Sequence, residues 1–564
     1  MSVQILPATT AGINPEKFSD DIFLRRNRVA LIAFLTILTL VGFGLRVSNL
    51  SAESLSEDEL NKLQTVADYR ADGLSGRNGE HPFLMKGLQT ASFIFADKWN
   101  ASAAADRRIS DEFALRFPTA LCGTLTILLL FLLVKELFGS TVGLISAALW
   151  AIEPTAVGFD RIAKEDSFLL FFFLLTNFFW LRGQSEAERG NAKWFKYVLL
   201  AAIAFAALMA SKYLPHLLAV SAAYYIIFQA IPSTRWRLGR PRWLLFLVVA
   251  GISFLIFNPT IFFAETWRAM LKFSSENRIA HDSYEFMGAL YRNRLTAWLS
   301  GVPWTFYYVF ILVKTSLVTL IFFLVGLPLL FRRKWGDGRY FLFFWAFMWF
   351  LPFTVLGGKF TRYFTVAEPL ILIAAAVGFY FATQRLTHKF FQHSTTNKAI
   401  FQMILFVAFL AAPLYNSLLV TPNFRLFTNT LGGGAAWAGY YFPHDAFYDT
   451  DTREIVAEIA ARARPHATVA NETPTLYEYY AKKIGREDLK FVSLSDDAET
   501  GNLTAGDFIV AARGRRYFSN SRYLDYLENS AAPIVETKAG AVISARIYQL
   551  NETSAEKIRE LSKP

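Results

Sequence analysis

Several short segments set ionisable side chains close enough together to do chemistry. The first is Ser56-Glu57-Asp58-Glu59-Leu60. Adjacent carboxylates can act as a general base, because one accepts a proton while its neighbour raises that proton affinity or holds a ligand. The same residues also read as a helix start, with Ser56 as cap and the acids favoured by the dipole. These two readings are compatible. The second segment, Phe159-Asp160-Arg161-Ile162-Ala163-Lys164-Glu165-Asp166-Ser167, packs three acids and two bases between apolar runs. Charge at such a boundary is costly unless it is paired or used. If Asp166 starts a helix, its carboxylate can face Arg161.

Cations recur beside further apolar runs: Lys212 in Ala210-Ser211-Lys212-Tyr213, and Lys359 with Arg362 in Gly357-Gly358-Lys359-Phe360-Thr361-Arg362-Tyr363. Each alone reads as a side chain snorkelling to the interface. Together they favour an anionic site, and a lipid phosphate is the natural anion. Lys314, inside a long apolar run, is either a further cation near that site or the mark of a helix break. Glu80-His81-Pro82 and His281-Asp282-Ser283 supply the remaining His and acid candidates. Glu80 with His281 would make a sparse divalent-metal site, although no local ligand spacing supports it. No cofactor is otherwise called for.

The elements that must position these residues are membrane helices. Of 564 residues, 54% are hydrophobic and 18% charged, which argues against both a soluble domain and disorder. A single Cys122 excludes internal disulfides and thiolate metal clusters. Apolar runs near 29–47, 117–134, 140–157, 167–181, 195–211, 214–231, 243–263, 304–331, 340–357, 364–383 and 399–420 predict about eleven spans. Arg25, Arg26 and Arg28 precede the first, so the positive-inside rule puts residues 1–28 in the cytoplasm. Alternation then sends Lys135, Arg182, Arg189, Lys193, Arg235, Arg237, Arg240, Arg242, Arg332, Arg333, Lys334, Arg339, Arg385 and Lys389 to the same side. That distribution largely accounts for the formal charge of +11 without a nucleic-acid partner.

A transmembrane domain over 29–420 thus carries long outer loops at 48–115 and 264–303, longer than simple connectors need to be. Residues 421–564 follow the last span and lie outside. After a flexible Gly432-Gly433-Gly434 stretch, Thr452-Arg453-Glu454 opens a helical pattern. Ala467 to Ala470, Leu489 to Leu494 and Asp507 to Ala512 read as short strands, so a small α/β domain is expected there. It has no phosphate-binding or dinucleotide fingerprint and is assigned no chemistry.

These residues resemble the protein O-mannosyltransferase family and its bacterial relatives, membrane glycosyltransferases of the C-type fold that use polyprenyl-phosphate sugars. Asp58-Glu59 matches the family's paired-acid motif in the first outer loop. His81-Pro82-Phe83-Leu84-Met85-Lys86 is similar to its His-Pro-Pro-Leu-Gly-Lys motif, with Phe83 and Met85 as departures. Arg161 followed by Asp166 resembles the arginine and aspartate of its second outer loop, and Ser211-Lys212-Tyr213 resembles its Ser-Lys-Trp. Pro303-Trp304 followed by Tyr307-Tyr308 resembles the start of its eighth span. The likeness covers roughly 20–420. The tail lacks the sugar-binding repeats of the eukaryotic enzymes and resembles the periplasmic domains of bacterial relatives, including lipid A aminoarabinose transferases.

The resemblance implies inverting transfer of a sugar, mannose or another hexose or pentose, from a polyprenyl phosphate to a protein, lipid or glycan hydroxyl. It implies Asp58 as base, with Glu59 and Asp166 orienting acceptor or sugar. Arg161, Lys212, Lys359 and Arg362 would bind the donor phosphate, and His81, Lys86, Asp160, Glu165 and Tyr363 would bind substrate. A bacterial inner membrane is the expected location. The competing class is a transporter or lipid flippase, although those place charge near the midplane in related repeats. A third reading, a membrane scaffold, leaves the clustered outer charges without a purpose.

Overall fold

The computed structural model describes residues 28–214, 220, 223–224, 239–276, 281–336, 338–391 and 395–563. Arg25, Arg26, Arg235, Arg237 and most of the span expected at 214–231 lie outside the described residues.

Fifteen helices make up the described membrane half and its outer loops: α1 (Arg28–Val47), α2 (Glu57–Ala71), α3 (Phe83–Asn100), α4 (Asp111–Phe138), α5 (Ser140–Ile152), α6 (Pro154–Asp160), α7 (Glu165–Glu188), α8 (Trp194–Met209), α9 (Gly239–Phe257), α10 (Ala264–Glu276), α11 (Phe306–Lys314), α12 (Leu317–Leu330), α13 (Gly338–Val355), α14 (Glu368–Phe390) and α15 (Thr395–Val420). Among the described residues α1, α4, α9, α13, α14 and α15 are each long and apolar enough to cross a membrane, and the bent pair α5–α6 makes a seventh. The protein is thus a multi-pass membrane protein. Each expected run outside 214–231 falls on a helix, but two of them are broken. The 140–157 run bends by 63° between α5 and α6, where Pro154 cannot donate to the preceding turn. The 304–331 run, read as one span, divides into α11 and α12 at Thr315-Ser316.

The two breaks satisfy each other. A helix end in an apolar setting must find partners for its free N–H and C=O groups. Glu153, at the bend, accepts the Ser316 N–H at 2.5 Å and the Thr319 hydroxyl at 3.2 Å, capping α12. Thr155 donates to the Lys314 carbonyl at 2.9 Å, closing α11. Lys314 therefore marks a helix break, and its ammonium donates to the Arg425 carbonyl at 2.9 Å. The α12–α14 crossing is equally close: a Cβ on Gly326 would lie 1.8 Å from the Ala374 carbonyl oxygen, and one on Gly378 2.1 Å from that of Phe322. Only glycine permits that approach.

The segment between α1 and α4 contains α2 and α3, and the segment after α9 holds α10 and an antiparallel hairpin, β1 (Ser283–Phe286) with β2 (Ala289–Arg292). The Gly432-Gly433-Gly434 stretch is a held turn and not a flexible one. Asn429 accepts the Gly432 N–H and donates to the Leu312 and Thr315 carbonyls, both at 2.7 Å, and Gly433 and Gly434 take positive φ values of 86° and 65°.

The tail forms the expected α/β domain: α16 (Pro443–Phe447), α17 (Thr452–Ala460), β3 (Thr468–Asn471), α18 (Pro474–Lys483), β4 (Lys490–Ser493), α19 (Asp497–Thr500), β5 (Phe508–Ala512), α20 (Ser521–Ser530), β6 (Val535–Ala539), β7 (Val542–Gln549) and α21 (Glu552–Leu561). Its five strands run in the order β4-β3-β5-β7-β6, parallel among β4, β3 and β5 and antiparallel at β7 and β6. One face of this sheet is not free. Ile455, Ile459, Tyr477 and Tyr480 share a single apolar cluster with Leu60, Leu63, Phe93 and Leu115 of α2, α3 and α4. The domain is thereby seated on α2, α3 and the start of α4.

Candidate active site

The helix-start reading of the Ser56 segment holds, and its carboxylates are set in different surroundings. Ser56 and Glu59 form a reciprocal capping box that starts α2. Glu59 is fully buried. It accepts two bonds from the Arg116 guanidinium of α4, each at 2.8 Å, and another from the Ala163 N–H at 2.8 Å. Burial raises its pKa, but Arg116 and the hydrogen bonds outweigh it and bring the carboxyl to about 2. Every acceptor position is committed to joining α2, α4 and the loop before α7. Glu59 therefore holds this framework together.

Asp58, on the next face of the helix, is placed differently. Its side chain is 38% exposed, yet it contacts Lys164, receives the Tyr448 hydroxyl at 2.6 Å, and lies 3.8 Å from the Arg362 guanidinium. Burial opposes ionisation, but Lys164, Arg362 and Lys62 together hold its carboxyl well below the usual carboxylate range. Lys164 feels the reverse balance: burial outweighs Asp58 and draws its ammonium down to about 8.

Beside this group lie two more ion pairs from the start of α7. Asp166 pairs with Lys212 at 2.7 Å, and Lys212 sits 4.7 Å above the Tyr363 ring. Glu165 pairs with Lys62 at 3.0 Å and with His81 at 3.4 Å. Burial holds the His81 imidazole down at about 3 despite Glu165, so it is neutral. Arg362 stacks on Phe360 at 4.0 Å and meets Asp445 of α16 at 3.3 Å. The structure thus brings together Asp58, Asp166, Glu165, Lys212, Arg362, Tyr363 and His81 from the sequence reading.

The other expected residues have different work. Arg161 donates to the carbonyls of Leu45, Arg46, Ser48 and Asn49 at 2.7–3.0 Å. It caps the C-terminal end of α1 and is left 3% exposed. Lys359 is fully buried and donates to the Val302 and Leu356 carbonyls, while burial lowers its pKa to about 8. Lys86, also fully buried, gathers the carbonyls of Arg77, Asn78 and His81 and is lowered to about 8 by burial. Asp160 is sealed against Arg46 at 2.8 Å and Ser167 at 2.7 Å, with no exposed surface on either charged side chain. The contacts of these four are with backbone carbonyls or with a buried partner side chain. Glu80 accepts from the Asn78 amide at 2.6 Å, whereas His281 stacks on Tyr517 at 4.1 Å and lies 3.5 Å from Glu57. Among the described residues, no three His, Cys, Asp or Glu side chains converge as a metal-binding group.

Several participants had no local signature. Arg116 and Lys62 lie on helical faces, and Lys164 is one charge among five in the 159–167 segment. Tyr448, Asp445 and Arg515 come from the tail. Arg515 forms two bonds to Asp449, meets Glu57 at 3.2 Å and reaches His281 at 2.9 Å. The tail therefore closes one side of the cluster.

Residues 99–271 match the family described as dolichyl-phosphate-mannose-protein mannosyltransferase. A stretch of 118 residues, 20% of this chain, is 31% identical to the proposed mannosyltransferase YkcB of Bacillus subtilis (strain 168), and it spans 16% of that relative's length. Among solved structures, ArnT from Cupriavidus metallidurans bound to undecaprenyl phosphate aligns over 92% of this chain and 97% of its own, at 14% identity and a TM-score of 0.47. AglB from Archaeoglobus fulgidus, in complex with an inhibitory peptide and a dolichol-phosphate, aligns over 86% and 70%, at 12% identity and a TM-score of 0.48. Over residues 99–271 the chain carries the sequence pattern of the dolichyl-phosphate-mannose-protein mannosyltransferase family, the same family that its outer-loop motifs resemble.

Proposed function

We propose that this protein transfers a sugar from a polyprenyl-phosphate donor to a hydroxyl acceptor on the extracytoplasmic face of a bacterial inner membrane, with inversion at the anomeric carbon. The observation that carries this reading is the setting of Asp58: a partly exposed, ionised carboxylate ringed by Lys164, Arg362 and a tyrosine hydroxyl. In the reaction the acceptor oxygen forms a bond to the anomeric carbon as its proton passes to Asp58. The bond from that carbon to the phosphate oxygen breaks, and its electron pair leaves on the phosphate. Such a displacement needs a base on one side and fixed positive charge on the other.

Lys164, Lys212 and Arg362 are the cations that can meet the departing phosphate. In the free protein the first two pair with Asp58 and Asp166. A phosphate that draws Lys164 or Arg362 toward itself weakens their hold on Asp58, so donor binding itself raises the proton affinity of the base. Asp166, held by Lys212, is placed to orient the acceptor or sugar. The aromatic-lined spans would receive the polyprenyl chain. A transporter reading gains no support from ion pairs gathered at helix ends and in outer loops.

Removing a general base costs about 10²–10⁴-fold in rate. Asp58→Asn is therefore expected to lower transfer from a polyprenyl-phosphate sugar by that order, measured with purified, correctly inserted protein. A variant that keeps the wild-type rate would remove Asp58 from the base role.

A further inference from the structure

The far end of α14 from this cluster holds a second charged site. Glu368 starts α14 just after the 361–366 turn that carries Arg362. Arg385 lies 17 residues further on, about 26 Å along the axis. There a cavity of about 830 Å³ is lined by Lys334, Arg385, His388 and Lys389 together with Trp335 and Phe381, with no acid lining it among the described residues. Three cations crowd one phenyl ring: Lys334 lies 4.6 Å, Arg385 5.3 Å and Arg332 5.9 Å from the Phe381 centroid.

Like charges held this close repel one another. Burial first, then Arg332 and Arg385, lower the Lys334 pKa from its ordinary value. Yet none of Arg332, Lys334, Arg385 or Lys389 meets a carboxylate among the described residues, in contrast to Arg182 nearby in sequence type, which pairs with both Glu136 and Glu186. Cations placed only to satisfy the positive-inside rule need not converge on a common cavity. The volume is in the range of small-molecule sites. Leu386 and Phe390 are exposed beside it.

We infer that this cavity binds a phosphate-bearing anion, the headgroup of an anionic phospholipid, between Lys334, Arg385 and Lys389. The cations take the phosphate oxygens, and the aromatic floor and the exposed Leu386 and Phe390 accompany the acyl chains. Because the site is a helix length away from Asp58, it is independent of the proposed reaction.

The test uses the full-length protein in phosphatidylcholine nanodiscs, with and without phosphatidylglycerol, read by native mass spectrometry and by thermal midpoint. Phosphatidylglycerol is expected to be retained on the protein and to raise the midpoint by several degrees. The double variant Lys334→Gln/Arg385→Gln is expected to lose both effects, while Arg240→Gln/Arg242→Gln, which removes basic charge elsewhere, keeps them. Equal phosphatidylglycerol effects in wild type and in Lys334→Gln/Arg385→Gln would overturn the site, as would their equal loss in the Arg240/Arg242 variant. Inorganic phosphate that produces the full shift in phosphatidylcholine alone would overturn the lipid as occupant.

Discussion

Asp58 and Glu59 are adjacent carboxylates with opposite fates, and what separates them is 100° of helix rotation. Glu59 points into the protein, where its bonds to Arg116 and the Ala163 N–H leave it nothing to offer a ligand. Breaking such a buried pair costs about 3–5 kcal/mol, because the surviving charge is left without compensation. Glu59→Gln is thus expected to lower the thermal midpoint and the yield of inserted protein, with loss of activity following loss of fold; a stable but inactive Glu59→Gln would return Glu59 to the chemistry. Lys164 gives a sharper test by pH. Its ammonium titrates near 8, so it is charged below that value and neutral above it. Phosphate stabilisation that depends on it should fall as pH rises through about 8. In kcat/KM for the donor, which reports the free protein, Lys164→Arg should move this alkaline limb to higher pH. An unmoved limb would place Lys164 outside the phosphate site. In the sequence, the pairing of Asp58 with Glu59 was visible, but not which of them was free, because Arg116 is 57 residues from Glu59 and nothing local announces it.

At the level of elements, the apolar runs located the helices because a span must satisfy its backbone internally and the apolar length needed is fixed by the bilayer. The breaks were harder to see. Lys314-Thr315-Ser316 interrupts the apolar run and offers a break as one of two readings, but the division there depends on Glu153 reaching the Ser316 N–H from another helix. The same limit applies to Arg161 and Lys359: both look like cations kept at an outer boundary, and both turn out to cap carbonyls that only the folded loops bring together. The contact between α12 and α14 is testable at Gly326. Overpacking a tight core costs about 1–3 kcal/mol, and at Gly326 the obstacle is a backbone carbonyl that cannot rotate away. Gly326→Leu is expected to lower the thermal midpoint by several degrees, whereas Gly44→Ala, at a glycine with nothing within 4 Å of its would-be Cβ, should leave it near wild type. Equal midpoints for the two would refute a close crossing.

Across the whole molecule, the tail is the part whose purpose the sequence hid. Its fold was legible from short strands alternating with helices, but its lack of a motif suggested no part in chemistry. The structure places Tyr448 against Asp58 and Asp445 against Arg362, and sets Arg425 on Glu53 at 2.8 Å. It also buries the apolar face of α17 and α18 on α2–α4. Two contributions must therefore be separated: support of α2–α4, and direct tuning of Asp58. Ending the chain at Val420 removes both, so loss of transfer in that form would not discriminate between them. Tyr448→Phe removes only the hydroxyl and leaves the ring beside Arg362. A hydrogen bond to a charged group contributes about 1.5–3 kcal/mol, which sets an upper range of about ten- to a hundred-fold on its effect. Because the bond favours ionised Asp58, its loss raises the pKa of that carboxyl. The acid limb of kcat/KM should then shift to higher pH while the thermal midpoint stays nearly unchanged. A fall in midpoint with an unshifted acid limb would assign the tail to support alone, and a shifted limb at constant stability makes it a working wall of the site.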